Sequence, residues 1–189
     1  MATLFVDKID PQSGTTLEIG SSGDTVNLGA GVTAGFGKLL QVVSTATTTT
    51  FSTTSNTFVD CTPMTVDITP SASSSKVLIV CNANFGGSPD NRTGVRLLRD
   101  STDIFQGADA SNRQGVTTAN AYAEDNSIYN VAFQYLDSPS STSALTYHIQ
   151  VSAQASGSET AYLNRTGNDS DDQYTKRPAS SITVMEIGA

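Results

Sequence analysis

Two segments in the second half of the chain, residues 129–135 and 145–154, alternate strictly between apolar and polar side chains. Their apolar positions are Tyr129, Val131, Phe133 and Tyr135 in the first and Leu145, Tyr147, Ile149, Val151 and Ala153 in the second. Successive side chains of a β-strand point to opposite faces, so a period of two predicts strands with one buried and one solvent-facing side. Such strands have to pair into sheets that bury one face.

The composition favours strands as well. Only 15% of the residues are charged, there is no Trp, and Ser, Thr, Gly and Asn are abundant while Leu, Glu and Lys are scarce. Ser, Thr and Asn compete with a helix for backbone hydrogen bonds, whereas the β-branched Thr and Val suit strands. We therefore expect an all-β protein.

A third segment, Lys76–Phe85, predicts the centre of a sheet. Its first apolar face consists of Val77, Ile79, Cys81, Ala83 and Phe85. Leu78 and Val80 make the first half of the other face apolar too. A strand that is apolar on both faces is buried on both. In a two-layer protein, one face would then meet the opposite sheet and the other a neighbouring subunit.

Shorter apolar runs between turn signals complete the predicted domain. Together with the segments above they give eight or nine strands from Leu39 onward without a helical period, which fits a jelly-roll sandwich. The Thr-rich run from Thr45 to Thr57 fits either an extended sheet edge or an ordered loop. The polar run from Gln106 to Ser127 is predicted to be one long loop, and loops of that length are usually functional or mobile.

Near its beginning the chain repeats a short unit: Thr-Leu-Glu-Ile-Gly at 16–20 is followed by Thr-Val-Asn-Leu-Gly at 25–29. Both copies have the pattern of very short strands, and a lone two-stranded ribbon is marginal in water. Other groups have to cover the apolar side chains, and the simplest cover is two more copies of the chain wound about a threefold axis. We therefore predict an intertwined β stalk in a homotrimer, with an interface that contains Leu17, Ile19, Val26 and Leu28.

The segment that follows, residues 29–37, contains four glycines and one large side chain, Phe36. It is too rich in glycine for a packed element and suits a hinge or neck. We place the domain boundary there. Residues 1–37 are predicted to be an attachment and trimerisation stalk with a glycine-rich neck, and residues 38–189 a jelly-roll head.

Charge and cysteine content restrict the partners and the compartment. The net charge is -8, so there is no basic surface for a phosphate backbone, and we expect no nucleic acid partner. We find no export signal and no apolar run of membrane-spanning length, and expect a soluble protein without membrane insertion. For Cys61 and Cys81 this context favours free, packed thiols over a disulfide.

Two features of the sequence are candidate sites for a cofactor or an ion. Residues 29–34 fit the G-x-G-x-x-A dinucleotide pattern, but Ala34-Gly35-Phe36-Gly37 does not start the helix that the mechanism requires, so we expect no cofactor. His148 is the only histidine, which rules out a site with several histidines in one chain. Three copies at a threefold axis would still bring three imidazoles together for an ion or a pH switch.

The polar loop from Asn164 to Pro178 supplies further candidates. Asp169, Asp171 and Asp172 crowd carboxylates as calcium requires, but a solvated acidic loop is the preferred interpretation. Tyr122, Tyr162 and Tyr174 lie in or beside polar loops, where their rings would suit contact with sugars of a receptor. No pair of carboxylates stands out as the acid and base of a glycan hydrolase, and no catalytic residue is assigned.

Several segments resemble those of fibre-like virion proteins of tailed bacteriophages, especially marine ones. The opening residues 4–20, with Gly-Asp-Thr-Val-Asn-Leu-Gly at 23–29, are similar to the N-terminal stalks of such proteins. Val-Asp-Ile-Thr-Pro at 66–70, Ser-Ser-Lys-Val-Leu-Ile at 74–79 and Arg-Leu-Leu-Arg-Asp-Ser at 96–101 resemble their head domains. The resemblance implies a homotrimer with a head similar to the jelly rolls of tumour necrosis factor and complement C1q.

Three functional hypotheses follow from the residues and the resemblance together. The first is a non-enzymatic, homotrimeric phage fibre or spike in the virion, joined to other virion proteins by its N-terminal segment, whose head contacts a host surface glycan or protein. The second is a trimeric capsid decoration or head-fibre protein that stabilises the shell or aids attachment. The third is a small polysaccharide-degrading appendage.

Overall fold

A computed structural model describes residues 38–120, 123–154 and 159–188 of the chain. These residues form eleven β-strands and contain no helix, which confirms the all-β prediction. The strands are β1 (Lys38–Thr47), β2 (Phe51–Thr53), β3 (Val59–Ile68), β4 (Lys76–Gly87), β5 (Arg92–Arg99), β6 (Thr102–Asp103), β7 (Thr118–Ala119), β8 (Tyr129–Asp137), β9 (Leu145–Gln154), β10 (Ala161–Leu163) and β11 (Ser180–Gly188).

The predicted stalk, with Leu17, Ile19, Val26 and Leu28, lies outside the described residues, and so does Tyr122. The domain boundary at residue 37 and the threefold arrangement therefore stay predictions. None of the residues that the structure describes belongs to a helix long and apolar enough to span a membrane.

The strands form two antiparallel sheets. In the first, sheet A, the order is β1-β11-β4-β8. The short strand β10 pairs with the last residues of β4, beyond the part that pairs with β11, and β2 pairs with β10. In the second, sheet B, the order is β3-β9-β5, and both β6 and β7 pair with the far side of β5. The buried side chains of both sheets form one hydrophobic core. The structure is thus a β-sandwich, as predicted.

The alternating segments behave as predicted. Along β9, Leu145, Tyr147, Ile149, Val151 and Ala153 are buried against the core. The core-facing residues of β4 are buried too, and they include Cys81. Cys81 lies near Cys61 of β3, which is also buried. Both thiols are free, and burial raises the pKa of each to about 12, with the nearby Cys81 contributing to the rise at Cys61.

β4 lies in the middle of sheet A as predicted, but its second face is open in a single chain. Leu78 is half-buried and Val80 is 36% exposed on the outer face of the sheet. The next strand, β8, places Leu136 beside them with 47% exposure. The apolar residues of this face predict that it is buried. No described part of the chain covers it.

β3 is longer than the alternation of Val66 and Ile68 suggests. Its pairing with β9 shifts register between Asp60 and Thr65. Pro63 lies within the shift, where a residue without an N–H does not interrupt the ladder. The shift lets Cys61 and Met64 both face the core, although they are an odd number of residues apart. This break in the period of two conceals the first half of the strand in the sequence.

The two polar runs also acquire structure. The Thr-rich run from Thr45 to Thr57 contains the end of β1 and all of β2, so it forms an edge of sheet A. The run from Gln106 to Ser127 contains β7, whose Thr118 pairs with Val95. It is also closed by a hydrogen bond from the Gly107 N–H to the Val116 carbonyl, at 3.0 Å. The prediction of a single unstructured loop was wrong for these described residues.

Sheet A has two distinct ends. At the entry end, Lys38 pairs with Gly188 and Lys76 with Ile187. At the loop end, Thr47 pairs with Ser180 and Phe85 with Leu163. β1 has ten residues, so the two ends are about 30 Å apart.

Candidate functional site

A loop of residues 164–179 connects β10 to β11 at the loop end of sheet A. It begins at Asn164, which is fully buried and has a positive φ of 59°. Asparagine is one of the few residues that adopt this left-handed conformation readily. Its Nδ2 donates to the carbonyls of Thr47 and Thr49 at 3.1 and 3.0 Å, and its Oδ1 accepts from the Ser180 hydroxyl at 2.6 Å. The first residue of the loop is therefore fixed to β1 and β11.

The next residues of the loop lie on the outer face of sheet A. A Cβ at Gly86 of β4 would collide with the Arg165 carbonyl and the Thr166 Cα. Only a residue without a side chain allows the loop backbone to come this close to the sheet. The Asn168 N–H then donates to the Asp125 carbonyl at 2.8 Å. The loop is thus packed against the sandwich rather than projecting freely from it.

Asp169 binds two arginines across the loop. Its Oδ2 lies 2.8 Å from Arg165 Nη1, and Arg177 donates to both carboxylate oxygens, from Nε at 2.8 Å and from Nη2 at 2.5 Å. The hydrogen bond from Arg177 is the main reason that the pKa of Asp169 is lowered. The paired arginine is bidentate, a geometry that adds directional preference to the charge attraction.

Asp172 forms a turn in the middle of the loop. It accepts hydrogen bonds from the Ser170 hydroxyl at 2.6 Å and from the backbone N–H groups of Tyr174 and Thr175 at 2.7 and 3.1 Å. These bonds, that of Ser170 first, lower the pKa of Asp172. The turn holds Tyr174 with 66% of its surface exposed, the largest exposure among the large hydrophobic side chains of the described residues.

Two of the three carboxylates that are candidates for calcium therefore bind groups of the loop itself. Asp169 accepts from arginines, and Asp172 accepts from a hydroxyl and backbone amides. In the described parts of the chain, no three His, Cys, Asp or Glu side chains, Asp171 included, form a group that could hold a metal ion.

Tyr162 lies at the edge of the same region, on β10. The Arg165 guanidinium stacks on its ring, with 3.9 Å from Cζ to the ring centroid. Tyr162 and Arg165 line a shallow cavity of about 150 Å³, together with Thr50, Phe51 and Ser52. The ring that was considered for sugar stacking is thus covered on one face by a cation from its own chain, whereas the ring of Tyr174 is open.

His148 lies on the other sheet, on the outer face of β9. Its Nε2 is 3.3 Å from Asp60 Oδ1, and Gln150 Nε2 donates to the same oxygen at 2.9 Å. The His148 side chain is only 12% exposed, and its Nδ1 has no hydrogen-bond partner among the described residues. Whether three copies bring this residue to an axis stays a prediction.

The sequence interpretation assigned no structural role to Asn164, Arg165 or Arg177, which organise the loop. The local signal for Asn164 was present, since Asn-Arg-Thr-Gly after a short strand is typical of a turn with a left-handed residue. No local sequence pattern indicates which acid the two arginines bind. Arg177 binds an acid eight positions earlier in an irregular segment, where no helical or strand spacing links the two residues.

Comparisons with known proteins add little to this geometry. No family model matches the chain, and no curated protein matches it. Among solved structures, the chain is similar to one in the structure of infectious bursal disease virus, Gx strain, with 11% sequence identity and a TM-score of 0.40. The match covers 88% of this chain and 42% of that one, so this chain spans less than half the length of the virus chain. At a TM-score below 0.5 we draw no function from the likeness.

Proposed function

We propose that this chain is a structural protein of a virion, without enzymatic activity: a homotrimeric fibre or spike whose jelly-roll head presents the 164–179 loop to the host surface. Residues 1–37 attach the protein to other virion proteins and hold three copies together. The proposal combines the resemblance of the sequence to phage fibre proteins with the β-sandwich and the architecture of its loop end.

The strand order supports a jelly roll. If β2 is taken with β1, β10 with β11, and β6 with β7, eight strand units remain. Along the chain these units fall in sheet A, B, A, B, B, A, B and A, which gives the sheet orders β1-β11-β4-β8 and β3-β9-β5-β6/β7. All pairings are antiparallel. Two four-stranded layers built from two Greek keys are the definition of this fold.

The observation that carries the functional proposal is the separation of the two ends of the sandwich. The chain enters at Lys38, and the braced loop with Tyr174 lies about 30 Å away at the other end of β1. A head attached through residues 1–37 would therefore hold Tyr174 away from its attachment. A loop that is already ordered loses little conformational entropy on binding. An exposed Tyr offers an apolar ring and a polar tip to a sugar or a protein.

The substitution Tyr174→Ala tests this proposal. We expect the purified full-length protein to adsorb to host cells and block infection, and the variant to bind about tenfold or more weakly, because exposed aromatic anchors carry a large share of binding energy. Adsorption is measured as the concentration for half-maximal binding to cells. Phe105→Ala is the control, since Phe105 is a partly exposed aromatic residue, stacked on Tyr135, that lies outside the loop.

Other results would contradict the proposal in distinguishable ways. Unchanged binding by the Tyr174 variant would remove the loop from the contact. Failure of the wild-type protein to bind cells, combined with binding to empty capsids and a rise in their heat resistance, would favour the decoration protein. Release of reducing ends from host polysaccharide, abolished by substitution of one carboxylate, would favour an enzyme.

A further inference from the structure

We infer that the outer face of sheet A, at its entry end, is the surface through which the heads of this protein contact one another. The inference rests on the homotrimer of the proposed function. It adds a second contact surface between the copies, which lies on the heads and does not involve residues 1–37. It starts from a row of four apolar side chains on four neighbouring strands.

The row runs straight across sheet A. Val42 of β1 is paired with Met185 of β11, Met185 with Leu78 of β4, and Leu78 with Leu136 of β8. Adjacent strands are about 4.8 Å apart, so the row extends over about 14 Å. Val42 is 53% and Leu136 47% exposed in the single chain. Val80, with 36% exposure, extends this apolar patch toward the middle of β4. Leu39, which pairs with Ile187, extends it toward residue 38.

The patch differs from the outer face of sheet B in charge. The two rows of sheet A that follow consist of Ser44, Thr183, Val80 and Gln134, then Ala46, Ser181, Asn82 and Ala132, without any charged residue. The row on the other side of the patch consists of Leu39, Ile187 and Lys76, so it places one charge at the margin of the patch. On sheet B, by contrast, Asp60, Asp67 and Arg96 occupy the outer face beside His148. Large apolar side chains that are contiguous and uncharged are typical of protein contact surfaces.

Hydrogen bonds within the chain satisfy part of the polar rows. The hydroxyls of Ser44 and Thr183 bond to each other at 2.8 Å. Asn130 Nδ2 donates to Asn82 Oδ1 at 2.6 Å and to Asn84 Oδ1 at 3.1 Å. Side chains that already have partners lose less when a neighbouring protein displaces water from them. The surface can therefore be covered beyond its apolar row.

The position of the patch identifies a second copy of the chain as its occupant. Val42 lies four residues after Lys38, where the chain joins the segment predicted to hold three copies together. Linking two surfaces through such a segment gives them a high effective concentration for each other. Each head therefore meets the apolar patch of a sister head before that of any other protein. Residues 1–37 of the same chain, folded back over the patch, are the competing occupant.

Labelling of the variant Val42→Cys tests the inference on the full-length protein. We expect a maleimide to react at least tenfold more slowly with this thiol in the assembled protein than after dilution to monomers. The native Cys61 and Cys81 are buried and serve as an internal reference. Thr62→Cys, at an exposed position of β3 in sheet B, is the matched control and should react rapidly at every concentration.

A second variant measures the contribution of the patch to assembly. Leu136→Glu adds a charge at a position that is already 47% exposed in the single chain, so the fold of the head should be retained. A charge that is buried in an apolar interface without a partner is strongly unfavourable. We expect the concentration at which the assembly dissociates, measured by sedimentation equilibrium, to rise about 100-fold or more, with an unchanged circular dichroism spectrum. Thr62→Glu should leave it unchanged.

Three results would overturn the inference. A trimer in which the Val42→Cys thiol reacts at full speed would refute the contact surface while leaving the trimer of the proposed function intact. Protection of that thiol at all concentrations would assign the patch to residues 1–37 of the same chain. A wild-type protein that is monomeric at every concentration would refute both the inference and the proposed trimer.

Discussion

At the scale of single residues, Glu186 is the side chain whose environment is least expected from its neighbours in the sequence. It is fully buried on β11. Its carboxylate accepts from Gln41 Nε2, from the Ser71 backbone N–H and from the Ser71 hydroxyl, each at 2.7 Å. Burial raises the pKa of this group, but hydrogen bonding from its neighbours, Gln41 and Ser71 among them, outweighs that effect and lowers the pKa to about 2.

We predict that Glu186→Gln lowers the free energy of unfolding by about 2 kcal/mol at pH 7, because hydrogen bonds to a charged acceptor are replaced by weaker ones. The folded pKa of about 2 lies below the ordinary value of 4.5. The carboxylate therefore stabilises the fold fully above about pH 5, and its contribution is lost as the pH falls toward 2. Urea unfolding followed by circular dichroism at one protein concentration measures both effects.

Glu124→Gln, at an exposed position, is the control for Glu186→Gln and should change the unfolding free energy little. A difference between wild type and Glu186→Gln that stays constant from pH 7 to pH 2.5 would contradict the role assigned to the charge. Local sequence does not reveal this role, since Ser71 and Glu186 are 115 positions apart.

At the scale of elements, the strands are joined by a few polar contacts as well as by their ladders. Asp137, the last residue of β8 in sheet A, accepts from Arg99 Nη1 at 2.6 Å and from the Tyr147 hydroxyl at 2.7 Å. Arg99 and Tyr147 belong to sheet B, so this carboxylate ties the two layers together. Burial, with the hydrogen bond to Asp137 next, raises the pKa of Tyr147, which therefore remains a hydrogen-bond donor.

Asn164 performs a comparable role for the connection between β10 and β11. We predict that Asn164→Ala lowers the free energy of unfolding by about 3 kcal/mol, since it removes three hydrogen bonds at a buried site and leaves a non-glycine residue without a polar side chain at positive φ. Asn164→Gly separates the two causes. It also loses the hydrogen bonds but adopts the same backbone conformation without strain, so its loss should be smaller by about 1 kcal/mol.

The measurement for Asn164 is again equilibrium unfolding at a fixed protein concentration, with trypsin cleavage after Arg165 as a local probe of the loop. Equal stability of the alanine variant and the wild type would show that the loop is held by other contacts. The ion pairs of Asp169 are partly exposed and contribute through loop geometry rather than through a large share of global stability.

At the scale of the whole molecule, the open apolar face of sheet A and the predicted stalk concern the same question, namely how copies of the chain are held together. We predict that deletion of residues 1–37 leaves a folded head with the circular dichroism spectrum of a β protein, because the buried core that the structure describes lies entirely between residues 61 and 184. The trimer of this fragment should be weaker than that of the full chain or absent, since the effective concentration supplied by the stalk is lost.

Light scattering over a range of concentrations measures the molar mass of the fragment and of the full chain side by side. A stable monomer of the full chain would contradict the prediction. Equally strong trimers of both proteins would assign all of the association to the heads and none to the repeat at residues 16–29.

Much of the fold was predictable because its signals are local. The core-facing sides of β4, β8 and β9 follow from alternation alone, and these sides face the core as expected. The first half of β3 was missed because the register shift at Pro63 breaks the alternation. Of the candidate site residues, Tyr174 is exposed on its loop, whereas Tyr162 is covered by Arg165. The second outcome depends on a contact that strand periodicity does not encode.

The sequence by itself determined that this protein is built from sheets with one apolar face. It also determined that one strand, β4, carries apolar side chains on both faces, so that neither face suits contact with water. The reason is that side-chain direction along a strand is set by local backbone geometry. The tertiary structure alone decided which strands are neighbours and that the carboxylate of Glu186 is buried. It also decided that one row contains Val42, Met185, Leu78 and Leu136. These residues are far apart in the chain, and only the register of the folded sheets brings them together.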